Sequence, residues 1–465
     1  METSPAMHID PAIFRAYDIR GTVTEQLTPQ VVRAIGHSFG SECAARGQRQ
    51  VVVARDGRLS GPALIAALTD GLRAAGREVI DIGMLPTPLL YFATHQLGTG
   101  TGVMITGSHN PPQYNGLKMV LDGGALYGEQ ITALHDRLLR GELHHEAGGA
   151  RREQRVEADY LARVTGDVRL VRPLRIAVDC GNGVPGVIAP ELFRALGCEV
   201  VELHSEVDGN FPNHHPDPAK PENLADVIAA VAEHGLDLGL AFDGDGDRVG
   251  VVCNEGRVLW PDRQMILYAA DVLSRNPGAK IIYDVKCSRH LPAAIRRCGG
   301  EAEMWKTGHS LVKARMRETG ALLGGEMSGH IFFKERWYGF DDALYVAARL
   351  LEILARDPRP AAEVFAALPD SHNTPELHLH FTGEGEQHDF MDRFVAATRF
   401  DDAKLHTIDG LRADFADGFG LVRASNTTAS LVIRFEADDA AALARIQSDF
   451  RAAMRAVDDG LEPPF

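Results

Sequence analysis

The sequence predicts an α/β protein of four domains, three of them related α/β units and the last a C-terminal α+β unit. Three observations predict it. At 465 residues the chain exceeds what one core supports, and a prior of about 100 to 200 residues per domain implies three or four. The order strand, polar loop, helix, Gly-x-Glu, strand is written three times, about 100 to 120 residues apart, a spacing of repeated domains and not of a small-unit solenoid. Beyond Asp357-Pro358-Arg359-Pro360 the pattern changes to alternating strands bracketed by helices.

The elements follow in order. Residues 13–21 (IFRAYDIRG) lead to Thr28-Pro29, an N-cap and first-turn pair, and then to Val31, Val32, Ile35, Phe39 and Cys43 at helical spacing. A buried strand at 51–54, the turn Arg55-Asp56-Gly57-Arg58, a helix to about 75 and Gly76-Arg77-Glu78 complete the first copy. The second copy has a strand at 175–179, a turn at 181–183, a helix at 185–196 and Gly197-Cys198-Glu199; the third has a strand at 281–284, a turn at 286–288, a ten-residue helix and Gly299-Gly300-Glu301. Ligands of such sheets sit at the carboxyl ends of strands, which makes the loops at Arg55, Gly181 and Lys286 functional suspects. Residues 139–154 are polar and read as a linker. Strands near 376–381, 418–422 and 430–436, closed by an amphipathic helix at 438–457, form the last unit. The expected domains are 1–154, 155–257, 258–370 and 371–465.

Composition narrows the function. With 48 basic and 64 acidic residues the net charge is −16, which argues against general nucleic-acid or membrane-surface binding and requires a locally basic cleft for any anionic ligand. Six scattered cysteines form no C-x-x-C pair, as expected of buried thiols in a reducing cytoplasm. There is no signal-peptide pattern at the start and no run of about 18 apolar residues.

Residues 98–120 (GTGTGVMITGSHNPPQYNGLKMV) carry the first chemistry. An apolar run stops at Gly107-Ser108-His109-Asn110-Pro111-Pro112, so a strand delivers Ser108, the candidate nucleophile, onto a turn stiffened by two prolines. Lys118, ten residues on, is placed to fold over an anion carried by that serine. Alone, this reads equally as a hairpin with an exposed hydroxyl, and the G-x-S-x-G elbow of serine hydrolases is absent because Asn110 stands where it needs glycine. The run Gly98 to Gly102 imitates a dinucleotide fingerprint but precedes its strand, and no G-K-[ST] exists.

A second apolar strand runs into Asp243-Gly244-Asp245-Gly246-Asp247-Arg248. Three carboxylates on alternate residues repel one another unless a cation lies between them, which implies a divalent metal. An EF-hand would need glycine and glutamate where this chain has Arg248 and Asn254; so few carboxylates suit magnesium completed by water and phosphate oxygen. Gly325-Glu326-Met327-Ser328-Gly329-His330 offers a carboxylate and a hydroxyl among glycines, and Arg423-Ala424-Ser425-Asn426-Thr427-Thr428 offers a guanidinium, hydroxyls and amides suited to a phosphate. Each taken alone is also an ordinary turn.

Together TGSHNP, DGDGDR, GEMSGH and RASNT resemble the α-D-phosphohexomutase superfamily, in its order and over essentially the whole chain. FRAYDIRG, and GEMSGH in place of the GEQSGH of phosphoglucosamine mutases, make the phosphomannomutase/phosphoglucomutase branch the nearest likeness. The resemblance implies four domains around a central cleft, each contributing a loop. It implies a phosphoserine at Ser108, Mg²⁺ held by Asp243, Asp245, Asp247 and the phosphoserine, sugar hydroxyls read by Glu326 and Ser328, and a phosphate clamp of Arg423, Ser425, Asn426 and Thr427. Tyr17, Arg20, His109, Lys118, Arg248, Lys286, His309 and His330 would be the remaining cleft residues. His309, Lys286 and Arg20 stay open as the general base. The implied reaction moves a phosphoryl group between O1 and O6 of glucose or mannose phosphates through a hexose 1,6-bisphosphate, which also serves as activator, in a cytoplasmic monomer whose partners are small hexose phosphates. A phosphoglucosamine mutase, a Mg²⁺-dependent sugar phosphatase and a silent sugar-phosphate binding protein are the alternatives.

Overall fold

The structure is a computed structural model describing residues 9–383, 385–426 and 428–465. It divides into two compact units, Met1–Pro261 with Ser328–Phe365, and Asp262–Met327 with Ala366–Phe465.

The first unit opens with β1 (Ile19–Thr22) and α1 (Pro29–Ala45), started where Thr28 Oγ1 accepts a hydrogen bond from Val31 N at 3.3 Å. There follow β2 (Gln50–Arg55), α2 (Gly61–Ala74), β3 (Glu78–Met84), α3 (Thr87–Gln96), β4 (Gly102–Ile105), β5 (Tyr114–Leu121), β6 (Gly124–Ala125), α4 (Glu129–Arg140) and β7 (Arg151–Glu153). The sheet order is β1-β5-β4-β2-β3-β7, with β6 beside β5. β2 is parallel to β3 and β4, and β5 returns antiparallel. Helices α1 and α2 pack at close range because Gly71 has no side chain: a Cβ there would lie 2.1 Å from the Arg33 carbonyl oxygen. Their apolar stripes bury Val32, Ile35, Phe39, Leu68 and Leu72 against Val51 and Val103.

The stretch expected as a linker is in part structure. β7 joins the sheet edge parallel to β3, and Arg151 reaches Asp81 at 2.7 Å. A three-residue strand held by backbone pairing and charge carries no apolar periodicity.

The second copy continues through α5 (Glu157–Asp167), β8 (Arg175–Asp179), α6 (Ala189–Ala195), β9 (Glu199–Leu203), α7 (Ala225–His234), β10 (Leu238–Phe242), β11 (Val249–Cys253) and β12 (Val258–Leu259), in the order β12-β11-β10-β8-β9. The helix expected over 185–196 is instead a 3₁₀ turn at Val184–Val187 followed by α6, with Ile188 at φ −144° between them. Pro190, which has no N–H to bond back one turn, separates the two.

The second unit holds nearly all of α8 (Pro261–Arg275), then β13 (Lys280–Asp284), α9 (His290–Arg297), β14 (Glu301–Trp305), α10 (His309–Thr319) and β15 (Leu323–Gly325), with β13 parallel to both β14 and β15. The chain passes back through the first unit as β16 (Ile331–Phe333) and α11 (Ala343–Arg356), and crosses the boundary again within α12 (Ala361–Ala366). The second unit ends with β17 (His372–Asn373), β18 (Leu377–His380), α13 (Glu386–Ala397), β19 (Lys404–His406), β20 (Leu411–Asp414), β21 (Gly418–Ala424), β22 (Ser430–Ala437) and α14 (Ala440–Val457). β17 and β18 pair with β22, which continues through β21 and β20 to β19, all antiparallel. Phe390, Phe394, Phe450 and Met454 of α13 and α14 close one core with Leu411, Leu431 and Phe435.

In all three α/β copies the first strand lies between the second and the third. The loop after the third strand carries a candidate site residue each time: Ser108 follows β4, Asp243 follows β10, and Glu326 follows β15.

Candidate active site

In the first unit, β4 ends one residue before Thr106, and Ser108 sits in a left-handed turn (φ +49°) at 3% exposure. A non-glycine residue there is uncommon, and the surroundings hold it. Ser108 N donates to Thr106 Oγ1 at 2.8 Å, and Gly107 N donates to Asp56 Oδ2 at 3.1 Å. Arg58, whose side chain is fully buried, donates to the carbonyls of Ser108, Asn110, Pro111 and Tyr114 at 2.6 to 2.9 Å, with Asp56 Oδ2 on its Nε at 3.2 Å. Sequence reasoning singled out the Arg55 loop as a suspect without finding Arg58, since nothing local tells that four of its donors converge on a loop about fifty residues away.

Ser108 Oγ donates to Asp243 Oδ2 at 3.1 Å and lies 3.2 Å from His109 Nδ1. Asp243, Asp245 and Asp247 are 0%, 0% and 1% exposed, and one carboxylate oxygen from each lies within 4.8 Å of the others. Asp243 Oδ1 accepts from the backbone N–H groups of Gly246, Asp247 and Arg248 at 3.0 to 3.1 Å, so the turn is wound around it. Lys118 Nζ reaches from β5 to Asp245 at 2.7 Å and to Asp247, while Thr87 donates to Asp245 at 2.6 Å. Arg248 Nε bonds Asp243 at 3.2 Å. Burial and then repulsion from Asp247 and Asp245 push the Asp243 carboxyl well above its ordinary range. Burial acts the same way on Asp247, but Lys118, His330 and Arg248 together outweigh it and hold that carboxyl low.

Asp245 Oδ1 and Asp247 Oδ1 are buried with no hydrogen-bond partner among the described residues. Two orphaned anionic oxygens beside a third carboxylate fit a divalent cation, because such atoms are costly to bury unless something neutralises them.

Four other predicted residues of this unit, Arg20, His109, Ser328 and His330, reach the serine or aspartate turns. Arg20, on β1, pairs with Asp18 and donates to Asn110 Oδ1. His109 is held neutral, first by burial and then by Arg248 and Arg20. His330 bridges Arg248 through the backbone and places Nδ1 3.1 Å from Asp341 and 3.8 Å from Asp247. The Ser328 carbonyl accepts from Arg248 Nη1 at 3.5 Å. Tyr17 is half-buried in the bend before β1.

The second unit carries the rest. Lys286 is 4% exposed, and its Nζ donates to Glu376 Oε1 at 2.8 Å. Burial opposes its charge, yet Glu376 raises its pKa above the ordinary value. Glu326 is 1% exposed and accepts from Gly308 N, next to His309 at the start of α10. Arg423, 4% exposed on β21, donates to Asp409 Oδ2 at 3.0 Å, and the same oxygen accepts Thr307 N at 2.9 Å. Asp284 at the end of β13 accepts Thr307 Oγ1 at 2.8 Å and Met327 N at 3.2 Å. Asp284 and Asp409, which the sequence did not single out, thus tie the Lys286, His309, Glu326 and Arg423 segments together. A findable signal existed: an aspartate ends or follows the first strand in every copy, at Asp56, Asp179 and Asp284. Ser425 Oγ accepts Thr428 N at 3.2 Å, Asn426 is exposed, and Thr427 lies outside the described residues.

Among the described residues no helix is long and apolar enough to cross a membrane. The models of phosphoglucomutase/phosphomannomutase α/β/α domains I, II and III match residues 11–144, 158–256 and 260–372, and that of the C-terminal domain matches 384–453. The chain is 53% identical over 465 residues to a phosphomannomutase/phosphoglucomutase of Pseudomonas aeruginosa, covering 100% of both, and 52% identical over 444 residues to a phosphoglucomutase of Neisseria gonorrhoeae, covering 95% of this chain and 96% of that one. A crystal structure of a phosphoglucomutase/phosphomannomutase family protein from Burkholderia thailandensis superposes with a TM-score of 0.94 at 55% identity, covering 98% of this chain and 100% of the other. With a strand-end serine bonded to a buried aspartate triplet, and with family models matched in order along nearly its whole length, the chain belongs to the phosphoglucomutase/phosphomannomutase family.

Proposed function

We propose that Ser108 carries a phosphoryl group between O1 and O6 of hexose phosphates, with glucose and mannose phosphates as substrates. The enzyme is an isomerase, and the transfer is reversible and intramolecular. The observation that carries the serine's role is its hydrogen bond to Asp243 at 3.1 Å, beside buried aspartates to which Lys118 and Arg248 bring two cations.

Phosphoryl transfer needs alignment and charge neutralisation more than covalent help. Asp243, Asp245, Asp247 and Ser108 would hold Mg²⁺, which when bound neutralises charge on the transferring oxygens. Ser108, fixed by Arg58 and Thr106, presents its phosphoryl group; Lys118 and Arg248 steady it. Glu326 and Ser328 read the 3- and 4-hydroxyls, which occupy nearly equivalent places when the 1,6-bisphosphate turns over. Arg423, Ser425, Asn426 and Thr427 grip the phosphate that is not reacting. His309, Lys286 and Arg20 remain the candidates for the base that takes the sugar hydroxyl's proton, and a hexose 1,6-bisphosphate primes the serine. A phosphatase acting through the same triplet is not favoured, nor is a phosphoglucosamine mutase.

The test is the Ser108→Ala enzyme. Turnover should fall by roughly 10⁴-fold or more, as when a covalent nucleophile is removed, while hexose phosphate still binds and the bisphosphate no longer labels the protein. Phosphate appearing on another residue, or affinity lost in step with rate, would overturn the assignment.

A further inference from the structure

The three first-strand aspartates do not do the same work. Asp56 and Asp284 each give a carboxylate oxygen to a backbone N–H of the loop after the third strand, Gly107 at 3.1 Å and Met327 at 3.2 Å. Asp179 gives Oδ1 to Gly181 N at 2.9 Å in its own turn and directs Oδ2 at His214 Nε2, 3.0 Å away. His204, just past β9, stands beside them: its ring centroid is 5.2 Å from that of His214, and one ligand atom from each of Asp179, His204 and His214 falls within 4.8 Å of the others. The group lies at the carboxyl ends of β8 and β9, where open α/β sheets bind ligands.

Each ring has a second contact suited to a donated N–H. His214 Nδ1 is 3.1 Å from the His215 carbonyl, and His204 Nε2 is 2.8 Å from Asp226 Oδ2. In the tautomers that donate those N–H groups outward, deprotonated rings would keep lone pairs at His214 Nε2 and His204 Nδ1. A ligating histidine shows this pattern, its other N–H given to a carbonyl or carboxylate. Without a metal, and against burial, Asp179 holds a proton on His214 Nε2, 3.0 Å away, and raises the pKa of that ring, so a metal would bind by displacing that proton. Asp179 has no exposed side-chain surface, whereas His204 and His214 retain 20% and 14%, so an ion can enter. His204 holds a left-handed backbone (φ +50°), strain that needs support from its surroundings.

We propose that Asp179, His204 and His214 form a second divalent-metal site, for a transition metal of the Zn²⁺ class, which pins the loop 204–218 to the second sheet. Two imidazoles and one carboxylate, with a fourth position open, suit Zn²⁺, while Mg²⁺ prefers oxygen ligands. The site shares no residue with the aspartate triplet. Its consequence lies in what the loop touches: Phe211 covers the Arg58 guanidinium at 5.3 Å, His215 bonds the His109 backbone, and Asp217 lies 3.4 Å from Arg248. A metal here would stiffen the segment that backs the Ser108 turn.

The experiment titrates metal-free protein with Zn²⁺ and Co²⁺ in excess Mg²⁺, following equilibrium dialysis and the visible Co²⁺ spectrum. The expected result is one Zn²⁺ per chain retained against Mg²⁺, with Co²⁺ bands of nitrogen ligation. Affinity should fall at least about 100-fold in His204→Gln and His214→Gln, and about 10- to 100-fold in Asp226→Asn. It should hold in Asp243→Asn. Failure to retain Zn²⁺, or loss in Asp243→Asn with retention in His214→Gln, overturns the proposal and leaves His214 an imidazolium paired with Asp179. Should the histidine variants not fold, the wild-type Co²⁺ spectrum decides alone, since a site without nitrogen bands is not this one.

Discussion

The two compact units handle charge differently. In the first, three carboxylates with almost no exposure share Lys118 and Arg248, and two of their oxygens have no hydrogen-bond partner among the described residues. In the second, the two cations of the candidate site lean on separate carboxylates: Lys286 on Glu376, 30% exposed, and Arg423 on Asp409, 14% exposed. Crowded, under-neutralised charge is poised for a metal and for chemistry. Buried cations held by partly exposed carboxylates are placed to bind an anion at modest cost. The difference teaches that rate should depend chiefly on the first unit and affinity on the second.

The largest effect is expected from Asp245→Asn. It removes a ligand while leaving an isosteric group for Thr87 and Lys118, so kcat should fall roughly 10²- to 10³-fold with KM little changed, and partly recover at high Mg²⁺. Full activity in EDTA would break the reading of the triplet as a metal site. Next, Arg423→Ala should raise KM for the 1-phosphate and the 6-phosphate alike, by about 2 kcal/mol, the low end for a lost charge partner. Steady-state kinetics in both directions check it, and an effect on kcat alone would erase the contrast between the units.

Arg58→Lys sharpens the comparison from the structural side. Lysine keeps the charge but cannot span four carbonyls and Asp56. Thermal and urea unfolding should show a loss of about 3 kcal/mol, as for a broken buried pair, and labelling of Ser108 by hexose bisphosphate should slow by about ten-fold. Unchanged labelling in a folded variant would mean that Arg58 holds the domain and not the serine. The smallest difference is expected between glucose and mannose 1-phosphates, which differ only at carbon 2. If only the 3- and 4-hydroxyls are read, their kcat/KM values should agree within about ten-fold, with galactose 1-phosphate far poorer.

The sequence by itself determined the leading strand and helix of the repeats, the threefold repeat and the candidate loops, because these rest on local signals. Apolar runs make strands, Thr28-Pro29 starts a helix, and carboxylates on alternate residues among glycines state a metal-like motif within six positions. Serine, aspartate triplet and arginine were named from their residue types, and the structure sets Ser108 on Asp243. What only the tertiary structure decided is what those residues lean on. Arg58 and the Ser108 carbonyl are 50 positions apart, Lys118 and Asp245 127, Thr307 and Asp409 102. None of these pairs leaves a trace in periodicity or composition. The same holds for β7, whose membership of the first sheet comes from edge pairing, and for Asp179, which resembles Asp56 and Asp284 in the chain but faces two histidines in the fold. Local patterns report what a segment is; long-range hydrogen bonds and desolvation decide what it does, and both arise only once the chain has closed on itself.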